Sequence, residues 1–233
     1  MRFQTLYEGR HFLVPLAFAT GFLWWMAGDP TARFWIWLAI PVTLVLIFCV
    51  NFFRDPDRGI PAGEELVVAA ADGVVDAIEV VEESEVLKRP CRRVSIFLNV
   101  FSVHVNRAPI AGRVTYQQHH PGDYCDARDP YCHQKNEALT WAFANQKATL
   151  VVRQITGAIA RRIVPWSRVG EAVEKGHRFG MIRFGSRTDI YLPLDAEILV
   201  KLGDAVEGGS SLIAVLGAPD PNYMTQGAPL LIG

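Results

Sequence analysis

Three stretches of the 233-residue chain carry residue types able to do covalent chemistry. Asp72 lies in AADG at 70–73, His104 in VHVNR at 103–107, and Ser186 follows Gly185 in FGSR at 184–187. A serine hydroxyl is a weak nucleophile until a base takes its proton. An acid, a histidine and a serine far apart in sequence can meet in space as an Asp-His-Ser array. Each also has a plain reading: a turn aspartate, a satisfied strand histidine and a Gly-Ser turn. The four cysteines include no C-x-x-C pair, and Cys125 with Cys132-His133 fits no standard zinc spacing. No metal site is expected, and a reducing compartment is the simpler reading.

The elements that must position these residues read mostly as β-strands. Apolar runs at 66–70 and 74–81 flank Asp72-Gly73, a turn signal. Further strands are expected at 94–100, 113–117, 149–155, 181–184, 189–192, 197–199 and 212–216. Residues 158–164 read as a short helix stopped by Pro165, and the second half of 121–146 as helical. Many short strands with glycine turns suggest a barrel or sandwich. The glycine-punctuated hairpins at 67–81 and 203–216 resemble half-motifs of barrel-sandwich carrier domains. The expected fold is therefore β-rich α+β, barrel-sandwich-like, over residues 54–233.

Residues 1–53 differ in kind. Residues 12–28 and 34–53 carry no charged side chain, and as helices they would span roughly 26 and 30 Å. A bilayer core is about 30 Å thick, so the second is long enough and the first marginal. Only residues 29–33 separate them, and Trp24, Trp25, Trp35 and Trp37 sit near that connection, where interfacial aromatics are expected. The expectation is a hydrophobic helical hairpin anchored in the cell membrane. Arg2, Arg10, Arg54 and Arg58 outside it put both ends, and the following domain, on the cytoplasmic side. With 23 Lys+Arg against 24 Asp+Glu the net charge is −1, which excludes a strongly basic nucleic-acid binder.

Order and wording of the motifs sharpen the reading. NFFRDPDR at 51–58, AADG at 70–73 and FLNVFSVHVNRAP at 97–109 are followed by QITGAIARRIV at 154–164. KGHRFGMIRFGSR at 175–187 and DIYLP at 189–193 complete the series. The set resembles the phosphatidylserine decarboxylase family in its short, archaeal-type form, over nearly all of 51–218. That resemblance implies an inactive proenzyme that cuts itself between Gly185 and Ser186, giving a β chain of 1–185 and an α chain of 186–233 that stay together as a heterodimer. Ser186 would become an amino-terminal pyruvoyl cofactor. His104 would take the Ser186 proton, Asp72 would orient the imidazole, and the hydroxyl would attack the Gly185 carbonyl. The enzyme would then decarboxylate phosphatidylserine to phosphatidylethanolamine and CO2, with further self-association also implied.

The sequence departs from longer family members at one place. They carry a second histidine three positions after the first, where this chain has Arg107. The proton returned to the product would come from His104, or from His119, His120, His133 or His177. Arg161, Arg162, Arg183 and Arg187 are candidates for the substrate phosphate or carboxylate. Lys88, Arg89, Arg92 and Arg93 form a basic run that could face anionic lipid. Two alternatives stand beside this reading: a pyruvoyl-dependent decarboxylase of another amino-acid-bearing substrate, and a non-catalytic carrier-like module. A carrier needs a lysine at an exposed hairpin tip, and neither Lys175 nor Lys201 has a convincing context.

Overall fold

A computed structural model describes residues 4–126, 129, 132–158, 162–183 and 186–217. The chain divides into two compact units, Met1–Pro56 and Asp57–Gly233. In the first, helix α1 (Gln4–Ala27) and helix α2 (Ile36–Phe52) are joined by a 3₁₀ turn, Pro30–Trp35. Asp29 caps that turn, accepting from the Thr31 amide at 2.8 Å and the Thr31 hydroxyl at 2.7 Å. Near the turn the Trp24 indole donates to Thr43 Oγ1 at 3.0 Å. At the open end Gly9 lies so close to Phe53 that a Cβ would sit 2.6 Å from its ring. The two helices are thus an antiparallel hairpin. Its outward side chains are large and apolar, with Phe18, Trp25 and Trp37 all more than 70% exposed. The stretch Pro30–Phe52, of mean hydropathy 2.2, is long and apolar enough to cross a membrane. Among the described residues it is the only such stretch, because α1 ends at Ala27 and its uncharged part, 12–27, is too short.

The second unit is β-rich. Its strands are β1 (Leu66–Val68), β2 (Gly73–Glu83), β3 (Arg89–Leu98), β4 (Val105–Arg107), β5 (Gly112–His120), β6 (Ala138–Ala144) and β7 (Thr149–Thr156). They continue as β8 (Arg162–Pro165), β9 (Ala172–Val173), β10 (Arg178–Arg183), β11 (Ser186–Leu192), β12 (Glu197–Ile198), β13 (Ala205–Val206) and β14 (Leu212–Val215). Eight form one antiparallel sheet in the order β13-β2-β3-β11-β7-β6-β5-β9. Two three-stranded sheets, β1-β14-β12 and β4-β10-β8, complete the unit. The barrel-sandwich-like expectation is met, with a curled eight-stranded sheet as its main wall.

Period-two alternation builds the core. Val94, Ile96 and Leu98 of β3, Ile190 and Leu192 of β11, and Leu150 and Val152 of β7 join one apolar cluster. Phe179 and Ile182 of β10 and Ile213 of β14 close it from the small sheets. Trp141 and Phe143 of β6 meet Phe179 with ring centroids 5.1 Å apart. Such edge and tilted contacts add to the area they bury.

Four local expectations need correction. The runs on either side of Asp72 do not pair as a hairpin: β1 pairs with β14, and β2 with β3 and β13. Buried Ala69–Ala71 instead cross between sheets, bonded to Ser211, Gly209 and Arg107. Residues 203–216 are likewise shared between β2 and the small sheet. Of the helix expected at 158–164, residues 159–161 lie outside the described residues, and 162–164 belong instead to β8, which pairs with β10. The second half of 121–146, expected as a helix, is mostly strand β6, preceded by a single helical turn, α3 (Cys132–Lys135). Every residue of β6 is buried, with Leu139, Trp141 and Phe143 in the main core and Ala138 and Ala142 in smaller clusters on the other face. A strand covered on both faces loses the alternation that would have announced it.

Candidate active site

Ser186 opens β11 rather than sitting in a turn. It pairs with Leu98 on one side and Thr156 on the other. The even residues of β11, from Ser186 and Thr188 to Ile190 and Leu192, share the core face, whereas Arg187, Asp189 and Tyr191 share the opposite one. Ser186 is fully buried, and its Oγ has no hydrogen-bond partner among the described residues. A buried hydroxyl left in that state is costly, so it calls for an explanation. Gly185 lies outside the described residues.

His104 is also fully buried, just before β4. Its carbonyl accepts from the Ile182 amide of β10 at 3.2 Å. Ring Nδ1 lies 2.9 Å from the Ser102 carbonyl oxygen. A carbonyl can only accept, so Nδ1 carries the proton and the lone pair of the neutral ring is on Nε2.

Asp72 follows the buried crossing. Its Oδ2 accepts from Arg58 Nη2 at 2.5 Å, and its Oδ1 accepts from the Gly208 amide at 2.8 Å. Arg58 also reaches Glu207 at 2.5 Å. Burial pushes the Asp72 carboxyl upward, while the Gly208 N–H and the Arg58 guanidinium pull against it. The Asp72 oxygens thus accept from Arg58 and Gly208, and His104 Nδ1 is held by the Ser102 carbonyl rather than by the carboxylate expected to orient it. Gly73 comes next, where a Cβ would sit 2.2 Å from the Phe97 carbonyl of β3. Only glycine lets β2 approach β3 there.

The three motif stretches nevertheless meet, and Asn106 is where they do. Its Nδ2 donates to the Ala70 carbonyl at 3.3 Å and to Thr188 Oγ1 at 3.1 Å. The Arg107 amide donates to the same Ala70 oxygen at 2.8 Å. Gln154 Nε2 donates to Asn106 Oδ1 at 2.6 Å, and the Trp141 indole to Gln154 Oε1 at 2.7 Å. None of Asn106, Thr188, Gln154 or Arg58 stood out in the sequence. The available signal was weak: polar residues at alternate, core-facing positions of strands that otherwise point apolar residues inward.

Comparison with known proteins bears on all of this. A family model described as "Phosphatidylserine decarboxylase" matches residues 45–214. The chain belongs to the phosphatidylserine decarboxylase family. It is 44% identical over 178 residues to a phosphatidylserine decarboxylase proenzyme of Syntrophus aciditrophicus, covering 75% of this chain and 83% of that one. It is 42% identical over 205 residues to the proenzyme of Symbiobacterium thermophilum, covering 88% and 90%. With that of Magnetococcus marinus the identity is 46% over 165 residues, covering 70% and 75%. It is therefore a decarboxylase, and the matched region holds Asp72, His104 and Ser186.

Set in this decarboxylase fold, several other candidates take different places. Arg187 faces away from the core side: its Nε donates to Asp189 Oδ1 at 2.8 Å and its Nη2 to Ser95 Oγ at 2.6 Å. Burial disfavours its charge, but Asp189 and Asp76 more than offset that and hold the guanidinium above its ordinary range. It is a structural arginine. Strand alternation also splits the basic run, because Arg93 is buried against Glu79 at 2.6 Å while Arg92 reaches the Ala196 carbonyl. Arg161 lies outside the described residues. His119 and His120 are on β5, bonded to Glu137 and Glu85, both at 2.9 Å. Three strand spacings separate β5 from β11, about 14 Å, too far for direct proton transfer. Lys175 donates to the Gly63 carbonyl at 2.5 Å and is no exposed carrier lysine. The Cys132 thiol is pushed up to about 11, chiefly by burial, which leaves it a poor ligand and nucleophile.

Proposed function

We propose that this chain decarboxylates phosphatidylserine to phosphatidylethanolamine and CO2, using a pyruvoyl group that it makes from its own Ser186. The buried, unpartnered Ser186 hydroxyl carries this reading. The hydroxyls of Thr5, Thr20 and Ser167 also lack partners among the described residues; Ser186 differs in following a glycine and opening a strand that is paired on both sides. A hydroxyl kept free of partners, at the start of a strand held on both sides, suits attack on the preceding carbonyl. Burial at the start of β11 would also keep a pyruvoyl group there away from water. Such a group supplies an electron sink for loss of a carboxylate next to an amine.

The roles of the other residues follow from their bonds. His104, its Nδ1 proton fixed on Ser102, offers Nε2 to take the Ser186 proton and later to return one to the product. Asp72 acts through position: with Arg58 and Gly208 it secures the crossing whose Ala70 oxygen holds Asn106 and Arg107. Cleavage after Gly185 gives chains of 1–185 and 186–233, which the continuous β3-β11-β7 pairing keeps together. The hydrophobic hairpin anchors the enzyme at the membrane that contains its lipid, with the β-rich unit on the cytoplasmic side.

Intact-mass measurement on the denatured protein tests the processing. Two chains dividing at Gly185/Ser186 are expected, with the smaller one lighter than its serine-ended form by one ammonia. Ser186→Ala should remain whole. Release of CO2 from phosphatidylserine, and not from free serine, tests the substrate. An uncut wild-type chain, or activity that survives Ser186→Ala, would overturn the reading.

A further inference from the structure

The buried polar chain beneath Ser186 has a direction. An indole N–H can only donate, so Trp141 fixes which end of the Gln154 amide faces it. Gln154 must then turn its NH2 to Asn106, and Asn106 in turn points its own NH2 at Ala70 and Thr188. Thr188 Oγ1 is thereby an acceptor, and its own proton remains to be donated. Thr188 is fully buried, and no acceptor for that proton is present among the described residues. Two neighbouring core-face positions of β11 thus offer unspent polar capacity, the Ser186 oxygen and the Thr188 O–H.

We propose that the Thr188 hydroxyl donates a hydrogen bond to the carboxylate of the substrate's amino-acid headgroup, with Trp141, Gln154 and Asn106 holding it in that polarity. This rests on the pyruvoyl reading of Ser186. Alternate residues of a strand are about 6.6 Å apart. A substrate attached through its amine at residue 186 carries its carboxylate one carbon further on, and a hydrogen bond of about 2.8 Å completes that span. The neutrality of the donor matters. The carboxylate loses its charge as CO2 departs, so a guanidinium would stabilise the ground state more than the transition state and slow the reaction. A hydroxyl aims the carboxylate while holding it less tightly. The charged groups of β11 are on the other face, where Arg187 is spent on Asp189 and Ser95.

The test uses the full chain with Thr188→Val, which keeps the shape without the hydroxyl, and Thr188→Ser, which keeps the hydroxyl. Intact mass first establishes cleavage of each. If wild type itself is uncut, the reading of Ser186 fails and not this assignment. With cleaved enzymes, kcat/KM for phosphatidylserine in mixed micelles should fall about tenfold to a hundredfold in Thr188→Val, the range for a hydrogen bond to a charged group. Thr188→Ser should stay within about threefold. Inhibition by phosphatidylethanolamine, which lacks the carboxylate, should be the same in all three. Unchanged kcat/KM in Thr188→Val, or a parallel loss of product inhibition, overturns the assignment. Should Thr188→Val resist cleavage, Thr188→Ala takes its place with the same expectations. If both resist while Thr188→Ser is cut, the hydroxyl serves self-cleavage and the assignment is again overturned.

Discussion

Replacing Arg187 with methionine should markedly destabilise the β-rich unit while leaving the core face of β11 untouched. The guanidinium is 3% exposed and the Asp189 carboxylate 0%. Arg187 contacts Asp189 at 2.8 Å, Ser95 at 2.6 Å and Asp76 at 3.5 Å. Without it, Asp189 keeps only Arg93, at 4.0 Å. Breaking a buried pair from one side costs about 3–5 kcal/mol, because the surviving charge is left uncompensated. For a unit of this size that is a fall in Tm of roughly 6–20 °C. Replacing both partners is far cheaper than replacing one, so Arg187→Met with Asp189→Leu should recover most of the loss, since Asp76 is exposed enough to rehydrate. Thermal unfolding in detergent, in a Ser186→Ala background so that every variant is a single chain, measures the cycle. A loss below about 1 kcal/mol for Arg187→Met, or no recovery in the double variant, would refute the assignment of Arg187 to structure.

Four shorter predictions follow from other parts of the molecule. His104→Ala should leave the chain uncut by intact mass with Tm within a few degrees, and normal cleavage would remove it as the base. Asp72 has a carboxyl raised by burial, so its stabilising contribution is full below the unfolded value of about 3.9 and is lost as pH rises through the folded value. The stability of Asp72→Asn relative to wild type should therefore increase from pH 4 to pH 7, and a decrease in urea midpoint difference over that range would contradict the direction. Gly73→Ala must push its methyl into the Phe97 carbonyl, so a loss of about 1–3 kcal/mol is expected by urea unfolding. Leu44, exposed in α2, can be replaced by lysine at a cost to membrane insertion of about 2.5–3.5 kcal/mol, read as a shift from the membrane to the soluble fraction.

How far the sequence could be read depends on which physical signal each part carries. Helix α2 is marked by an apolar stretch unbroken by charge, while in the main sheet β3 announces itself through the alternation of Val94, Ile96 and Leu98 and β7 through its β-branched residues. β6 does not, because both of its faces are covered and its Ala, Leu, Trp and Phe suit a helix as well as a strand. β8 was obscured by Pro165, a helix stop that equally ends an edge strand. At the site, Ser186 and His104 were legible as chemistry, but their bonding was not. That Nδ1 of His104 meets Ser102 is a matter of local chain path, and that Asp72 meets Arg58 and Gly208 depends on residues 14 and 136 positions away. Asn106 was invisible because its importance comes from three stretches converging on one amide.

The arrangement on β11 follows from strand geometry and from what the reaction tolerates. Successive side chains of a strand point to opposite faces, so one short run can keep two incompatible environments apart. On one face Arg187 and Asp189 are fully ionic and tie β11 to β2 and β3 through Asp76 and Ser95. On the other, Ser186 Oγ has no partner among the described residues and Thr188 accepts from the neutral Asn106, itself held by Gln154 and through it Trp141. On the proposed self-cleavage, a strand that must survive a break at its own first residue gains from an ionic anchor that begins at the second. A carboxylate that must lose its charge gains from a face on which no guanidinium of β11 is present. Moving the charge across, by exchanging Thr188 for arginine, would set the two demands against each other: tighter binding of carboxylate-bearing lipid together with slower turnover of it. Lower KM with lower kcat in Thr188→Arg is the signature expected of ground-state stabilisation, and a fall in kcat/KM caused by KM alone would show that charge on this face is not what limits the reaction.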